Sequence, residues 1–413
     1  MKYVLYVTAM MWTGLAVAAP AQAEDWPLST VLQRVEQANR DVQTAQRAVD
    51  AARADQQSAG VTPPAQFSLL SQAIDPNKLG SGSAWHRPID TIARIDKMME
   101  RGGKADWRVR SAEAGLQAAL QDQADALRTR KLAAAQAYWD LKLAQEQMAA
   151  SEHNWQLAQT SRDTAQLRLS QGDLSRLEAT RLSVEAERAA NELAQSRQQL
   201  NQARSALAQW LAMGNTPALR ASDNWPDTTT PEATQDNDAW LAARPDVQAA
   251  TRRVEQAQSA LSLAQSQRST DVTWSVQFEH NPGVAARLWG VGVAFPLGVD
   301  GRQDGPVARA LIAMNEAQAQ LDKTRADALA DRALQADALN TAMERIQRLE
   351  ARLLPQARDA LKGVEYARQQ GALPLQDVLD ARRALHAAEL DTAAAHADAA
   401  KALAALTMTS DTN

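Results

Sequence analysis

"DVQTAQRAVDAA" (residues 41–52) returns as "DVQAATRRVEQA" (residues 246–257), with seven of twelve positions identical. The shared residues are Asp, Val, Gln, Ala, Arg, Val and Ala, at the same offsets. A segment repeated at this distance marks an internal duplication, and the fold is read outward from it. In each half the repeated segment lies in a helix, predicted over 28–59 and again over 239–268. Each helix is followed by two short stretches of β character. In the first half these are "AQFSLLSQAID" (65–75) and "RPIDTIARIDKMM" (87–99), separated by the Gly/Ser-rich "PNKLGSGSAWH". In the second half they are "TDVTWSVQFEH" (270–280) and "RLWGVGVAFPLG" (287–298).

The second pair alternates cleanly. Val272, Trp274, Val276 and Phe278 share one face, and Trp289, Val291, Val293 and Phe295 do the same on the next strand. Strand 65–75 alternates poorly. "ERGGK" (100–104) and "GVDGRQDGP" then close the two hairpins.

From Lys104 to Thr216 there is no proline, and a helix from about 104 to 170 would be about 100 Å long. A heptad runs through it: Leu127, Ala134, Leu141, Met148 and Trp155, with Ala137, Ala144, Ser151 and Ala158 three residues after the last four. The following helix carries Leu193, Leu200 and Leu207, then Ser196, Ala203 and Trp210. Large residues alternating with small ones along one seam predict a tight antiparallel coiled coil. The second half repeats this with helices over 306–370 and 374–408. The expected fold is therefore mainly α with a small β part. The predicted order is a first repeat over 24–212 (strands about 65–99, helical hairpin 104–212), a linker at 213–238 and a second repeat over 239–408 (strands about 270–298, helical hairpin 306–408). A tail at 409–413 completes it.

Composition narrows the function. Of 413 residues 45% are hydrophobic but only 4% aromatic, which suits thin helix seams better than a bulky core. With a net charge of −5 and no basic block, a nucleic-acid partner is not expected. The absence of cysteine excludes disulfides, thiol catalysis and Cys-ligated zinc. "MKYVLYVTAMMWTGLAVAAPAQA" (1–23) reads as a secretory signal, with Lys2, an apolar run and Ala21-Gln22-Ala23; a single membrane anchor is the other reading. Four strands per chain of about ten residues match tilted membrane-spanning strands in length, yet four cannot close a barrel alone. Either several chains share one barrel, or the hairpins cap a soluble helical bundle.

The pieces "LSTVLQRVEQANRDVQTAQRAVDAA", "GVGVAFPLGVDGR" and "GALPLQDVLDARRAL", in this order and duplicated, resemble the TolC-like outer-membrane efflux ducts over essentially the whole mature chain. The resemblance implies a homotrimer with a 12-stranded transmembrane β-barrel and an α-helical barrel in the periplasm. It also implies a periplasmic adaptor and an inner-membrane resistance-nodulation-division pump as partners, outer-membrane lipid around the barrel, and no cofactor. "ERGGK" and "GVGVAFPL" resemble the branch serving cobalt–zinc–cadmium resistance pumps. Drug efflux and type I secretion ducts of the same architecture are alternatives, as is a soluble periplasmic scaffold or adaptor.

No catalytic constellation stands out. His86, His153, His280, His386 and His396 are scattered without ligand spacing, so no metal site is expected. Attention falls on two hairpin turns, "LRLSQGDLSRLEATR" (167–181) and "YARQQGALPLQDVLDAR" (366–382). Six residues past Gly172 stands Glu178, and six past Gly371 stands Asp377, with Asp380 one turn on. Read alone these are solvated helix carboxylates or rings of charge at a narrow pore end. The resemblance implies that Asp377 and Asp380 constrict a closed periplasmic gate and that Glu178 tethers the coils. It further implies that the tips Arg168, Leu169, Ser170, Gln171, Gly172, Gln370, Gly371 and Ala372 meet the adaptor. In the family's best-known gate a basic residue lies two positions past the second glycine. Here that residue is Leu373, so the link through it cannot form; Arg176 and Arg382 are the substitutes in view.

Overall fold

The computed structural model describes residues 24–72, 74, 89–214, 218–227, 236–281, 285–297 and 303–408. The expected signal at 1–23, His86 with most of its loop, and the tail at 409–413 lie outside them. The elements are β1 (Glu24–Trp26), α1 (Leu28–Ala38), α2 (Arg40–Ala59), β2 (Gln66–Gln72), β3 (Asp90–Met99), α3 (Lys104–Gln171), α4 (Arg176–Trp210), β4 (Leu219–Ala221), α5 (Asn237–Ala243), α6 (Pro245–Ser266), β5 (Val272–Asn281), β6 (Ala285–Ala294), α7 (Asp304–Arg348), a π-helical turn (Leu349–Leu353), α8 (Leu354–Gln369) and α9 (Leu375–Thr407).

Three expected helices are each split, for local reasons. The helix over 28–59 breaks at Asn39, whose Oδ1 accepts the N–H of Asp41 at 2.9 Å and caps α2. The helix over 239–268 breaks at Arg244, because Pro245 has no N–H to donate and begins α6 instead. The helix over 306–370 is interrupted by the π turn just before Pro355. Within the expected linker, β4 pairs in parallel with β1, Glu24 opposite Leu219. Three residues are too few for a strand pattern to register in the sequence.

The described residues form two compact units. The first takes described residues within 1–37, 133–228 and 341–401. Its core joins Val31 and Val35 of α1 to Tyr138, Leu141, Leu207, Leu211 and Leu219, all fully buried. Side chains of this kind contribute about 1.5–3 kcal/mol each when buried. The Tyr138 hydroxyl accepts the N–H of Asp223 at 3.0 Å, and burial pushes its pKa up to about 12. Below this core the α3–α4 seam follows the small-residue heptad: Ala137, Ala144, Ser151, Ala158 and Ala165 are all buried. Facing them are Ala186, Ala189, Leu193, Ser196 and Leu200, also buried. The Ser151 and Ser196 hydroxyls meet at 2.8 Å, so this buried polar pair in the seam is satisfied and helps fix its register.

The second unit takes described residues within 38–132, 229–340 and 402–413. Trp240, Leu241, Val247, Ala250 and Val254 pack with Leu321 and Ala328. The Arg244 and Arg332 guanidinium carbons each lie 4.8 Å from the Trp240 ring. The two hairpins join here into one antiparallel sheet of order β2-β3-β5-β6. Between β3 and α3, the "ERGGK" turn places Gly102 at φ 76°, with a Cβ there falling 3.0 Å from the Ser266 carbonyl oxygen. Lys104 then binds Asp271 at 2.7 Å. These contacts tie the foot of the sheet to the helices.

The sheet's register sorts its side chains into two faces. One row runs Phe67, Ile95, Val276, Val291; the next runs Leu69, Ala93, Phe278, Trp289. A third pairs Trp274 with Val293. Most of this apolar face is open: Trp289 is 76% exposed, Val291 88% and Phe67 68%. The opposite face carries Ser68, Arg94, Gln277 and Gly290 in one row and Gln66, Asp96, Ser275 and Gly292 in the next. Two expectations change. β2, judged irregular in sequence, contributes Phe67 and Leu69 to the apolar face. Phe295 lies just past β6, which ends before Pro296, although the side chain is still exposed.

Candidate functional site at the hairpin turns

Both expected turns lie in the first unit and are built alike. Gly172 ends α3 at φ 83°, with Asp173 N–H on the Arg168 carbonyl at 2.9 Å and Gly172 N–H on that of Leu169 at 3.1 Å. Gly371 ends α8 at φ 74°, with Ala372 N–H on Ala367 at 2.9 Å and Gly371 N–H on Arg368 at 3.0 Å. This paired closure needs a left-handed residue, which glycine alone adopts at little cost. The eight tip residues Arg168, Leu169, Ser170, Gln171, Gly172, Gln370, Gly371 and Ala372 are all exposed. Just inside them Ala165, Leu182 and Leu379, with Leu174 and Leu375, form an apolar plug joining the two hairpins.

The carboxylates are placed unequally. Ser175 caps α4 by accepting the Glu178 N–H at 3.2 Å and donates its hydroxyl to the Glu178 carboxylate at 3.1 Å. The same carboxylate accepts from Arg368 of α8 at 3.0 Å, across from one hairpin to the other. That arginine holds the Glu178 carboxyl below its ordinary pKa, helped by Ser175 and opposed by partial burial. Asp377 is half-buried in the first turn of α9 and makes no ion pair among the described residues. Asp380 is exposed, accepting from Gln376 at 3.3 Å and from Arg383 at 3.4 Å. Arg383 in turn grips Glu185 of α4 with both ends of its guanidinium, which keeps it firmly protonated. Arg382 binds Glu365 at 2.8 Å and donates to Ser161 at 3.0 Å.

Of the two substitutes considered for the missing basic residue, Arg176 is exposed on α4, and Arg382 serves α8 and α3 rather than Glu178. The partner of Glu178 is Arg368, which the sequence reading passed over. Its position in the last turn of α8, three residues before the turn glycine, is a place where a cation suits the helix end. Glu185 and Arg383 were also missed, because 198 residues separate them in the chain.

A pH dependence follows. With its folded value depressed, Glu178 contributes its share of the link fully above its ordinary pKa of 4.5 and loses it as pH falls through the lower folded value. Any property governed by the Arg368–Glu178 link should be flat through the neutral range and change only at pH below the ordinary 4.5. A conductance titration checks this, and a midpoint near pH 6 would assign control to another group.

Among the described residues no cluster of three or more His, Cys, Asp or Glu could hold a metal ion, and no helix is long and apolar enough to cross a membrane. His386 meets Glu192 at 2.6 Å and His396 meets Glu350 at 2.9 Å, each a pair between helices.

Long helical hairpins with charge-linked tips and a sheet bearing an exposed apolar face are a combination of elements shared with known outer-membrane channels. Comparison with known proteins agrees. Residues 237–409 match the family model described as outer membrane efflux protein. The cobalt-zinc-cadmium resistance protein CzcC of Cupriavidus metallidurans is 25% identical over 309 residues, 73% of this chain and 72% of that protein. The outer-membrane channel OprN superposes with a TM-score of 0.79 at 20% identity, covering 92% of this chain and 89% of that one. VceC of Vibrio cholerae gives 0.75 at 21%, covering 92% and 95%. The chain is thus similar to outer-membrane efflux proteins in the sequence of its second half and to outer-membrane channels in the fold of nearly its whole length.

Proposed function

We propose that this chain is the outer-membrane channel of a tripartite efflux system, a passive duct from periplasm to exterior. Export through the signal at 1–23 delivers it to the outer membrane of a Gram-negative cell. Three chains each contribute the sheet β2-β3-β5-β6, closing a 12-stranded barrel. The observation that carries this is the sheet itself: both hairpins join in one register, and their apolar side chains are collected on an exposed face. Val272, Trp274, Val276, Phe278, Trp289, Val291, Val293 and Phe295 then meet lipid. The two helical hairpins continue as a periplasmic helical barrel built from the internal two-fold repeat. Its exposed tips receive a periplasmic adaptor, and a resistance-nodulation-division pump in the inner membrane supplies the energy.

The gate is assigned to Asp377, Asp380 and Glu178, with the Arg368–Glu178 link holding the two hairpins together. In a trimer Asp377 and Asp380 become rings of three, and carboxylate rings at a narrow water-filled end favour cations. Divalent heavy-metal cations are the proposed cargo, supported by the likeness to a cobalt-zinc-cadmium resistance protein and compatible with acidic rings. In planar bilayers, Asp377→Asn with Asp380→Asn is expected to lower the cation-over-anion permeability ratio about threefold or more. An unchanged ratio would remove these residues from the conduction path.

A further inference from the structure

The inner face of the sheet departs from barrel alternation in one row. Strands of a transmembrane barrel turn apolar residues toward lipid and polar ones toward water. Next to the polar row of Ser68, Arg94, Gln277 and Gly290, toward the ends where β2 gives way to β3 and β5 to β6, the register aligns Leu70, Ile92, Glu279 and Leu288 across all four strands. Three of the four are large aliphatic residues, on the face opposite Phe67, Val276 and Val291. Leu70 is 53% exposed and Leu288 39%, so neither is packed away within the chain. Closing the barrel sets β6 beside β2 of the next chain, and pairing edge to edge leaves inner-face side chains on the lumen wall. Neighbours in such a row stand about 5 Å apart between Cβ atoms, so Glu279 has Ile92 on one side and Leu288 on the other. Its charge is left over. On the same face Arg94 binds Asp96 at 2.8 Å and Asp90 accepts from Gln72 at 2.9 Å, whereas the Glu279 carboxylate has no partner among the described residues. One row on, the wall is polar again: Gln277 lies over Gly290, where a Cβ would come 2.9 Å from its Cγ.

We infer that this row is a binding patch on the barrel wall for organic cations that bear alkyl groups, with Glu279 meeting the charge and Leu70, Ile92 and Leu288 the hydrocarbon. The pairing of a free carboxylate with aliphatic neighbours selects the class. An anion is repelled, and a hydrated metal ion has no use for the aliphatic surface. An alkylammonium ion covers that surface while its charge stays beside the carboxylate. Three chains place three such patches around the lumen. The duct wall thereby has a contact of its own for one class of solute, apart from the carboxylates Asp377 and Asp380.

This rests on the shared-barrel reading, so the test separates the two. Tetrabutylammonium and tetramethylammonium are the probes, because they share one charge and differ in hydrocarbon. With the purified protein in planar bilayers, tetrabutylammonium is expected to block potassium current at a concentration about tenfold or more below that needed for tetramethylammonium. Glu279→Gln should weaken this block about fivefold or more. Ile92→Ser with Leu288→Ser should weaken it about as much without changing the block by tetramethylammonium. Thr273→Ala, three rows away on the same face, is the control and should leave both unchanged. Equal block by the two ions, or block by tetrabutylammonium that is the same in the variants as in the wild type, would overturn the patch and leave the duct standing. A protein that forms no channel would instead remove the barrel reading. Saturation-transfer NMR of tetrabutylammonium on the detergent-solubilised protein then decides the patch. Butyl-proton signal that falls about fivefold in Glu279→Gln supports it, and signal equal to wild type overturns it.

Discussion

Arg368→Ala should open the duct. Each chain loses one charge-assisted hydrogen bond across its two hairpins, the 3.0 Å contact to Glu178. Both side chains are about a third exposed, so the link contributes about 1 kcal/mol rather than the value for a buried pair. In a trimer three links act together, and about 3 kcal/mol shifts a closed–open equilibrium by about a hundredfold. Because Arg383 still grips Glu185, an increase in open probability of about tenfold or more is the expected bilayer result. Arg358→Ala, on the exposed side of α8, is the control and should change nothing. Glu178→Gln should reproduce the opening, and the double variant with Arg368→Ala should open no further than either alone. Additive effects would show that the two residues do not act through each other.

Val291→Arg should abolish insertion. Val291 stands on the apolar face of the edge strand β6, opposite Val276, and is 88% exposed. An arginine on the lipid face of a barrel near the midplane costs about 2–4 kcal/mol, and three copies are introduced per trimer. Gln277→Arg places the same side chain on the adjacent strand's other face, in the row of Arg94 and Ser68. It should insert at close to wild-type yield. Equal recovery of the two variants in the outer-membrane fraction would argue that the apolar face is not turned toward lipid.

What could be read from the sequence depended on how local its cause was. The α3–α4 seam was legible because one heptad of small residues carries it from Ala137 to Ala158. Alternation found β5 and β6, since each carries its own polar and apolar face. β2 was harder: Leu69 and Leu70 are adjacent, and only pairing with Ala93 and Ile92 assigns them to opposite faces. The joining of the hairpins through β3 and β5 has no local signature, nor does the three-residue pairing of β1 with β4. At the tips, the turn glycines and the carboxylates six residues beyond them were visible as spacing. The arginines that complete the links were not, because each lies about two hundred residues from its partner and only the fold brings them together. The π turn was invisible for a subtler reason: Pro355 signals a disturbance, but the one-residue shift appears only once burial of Leu354 and exposure of Leu353 are seen.

The account stands most directly on the size and solubility of the purified mature protein. Extraction only with detergent, as a species of three chains in mild detergent, is the expected result. A monomer released by osmotic shock and stable without detergent would contradict the shared barrel, and the gate and duct would fall with it.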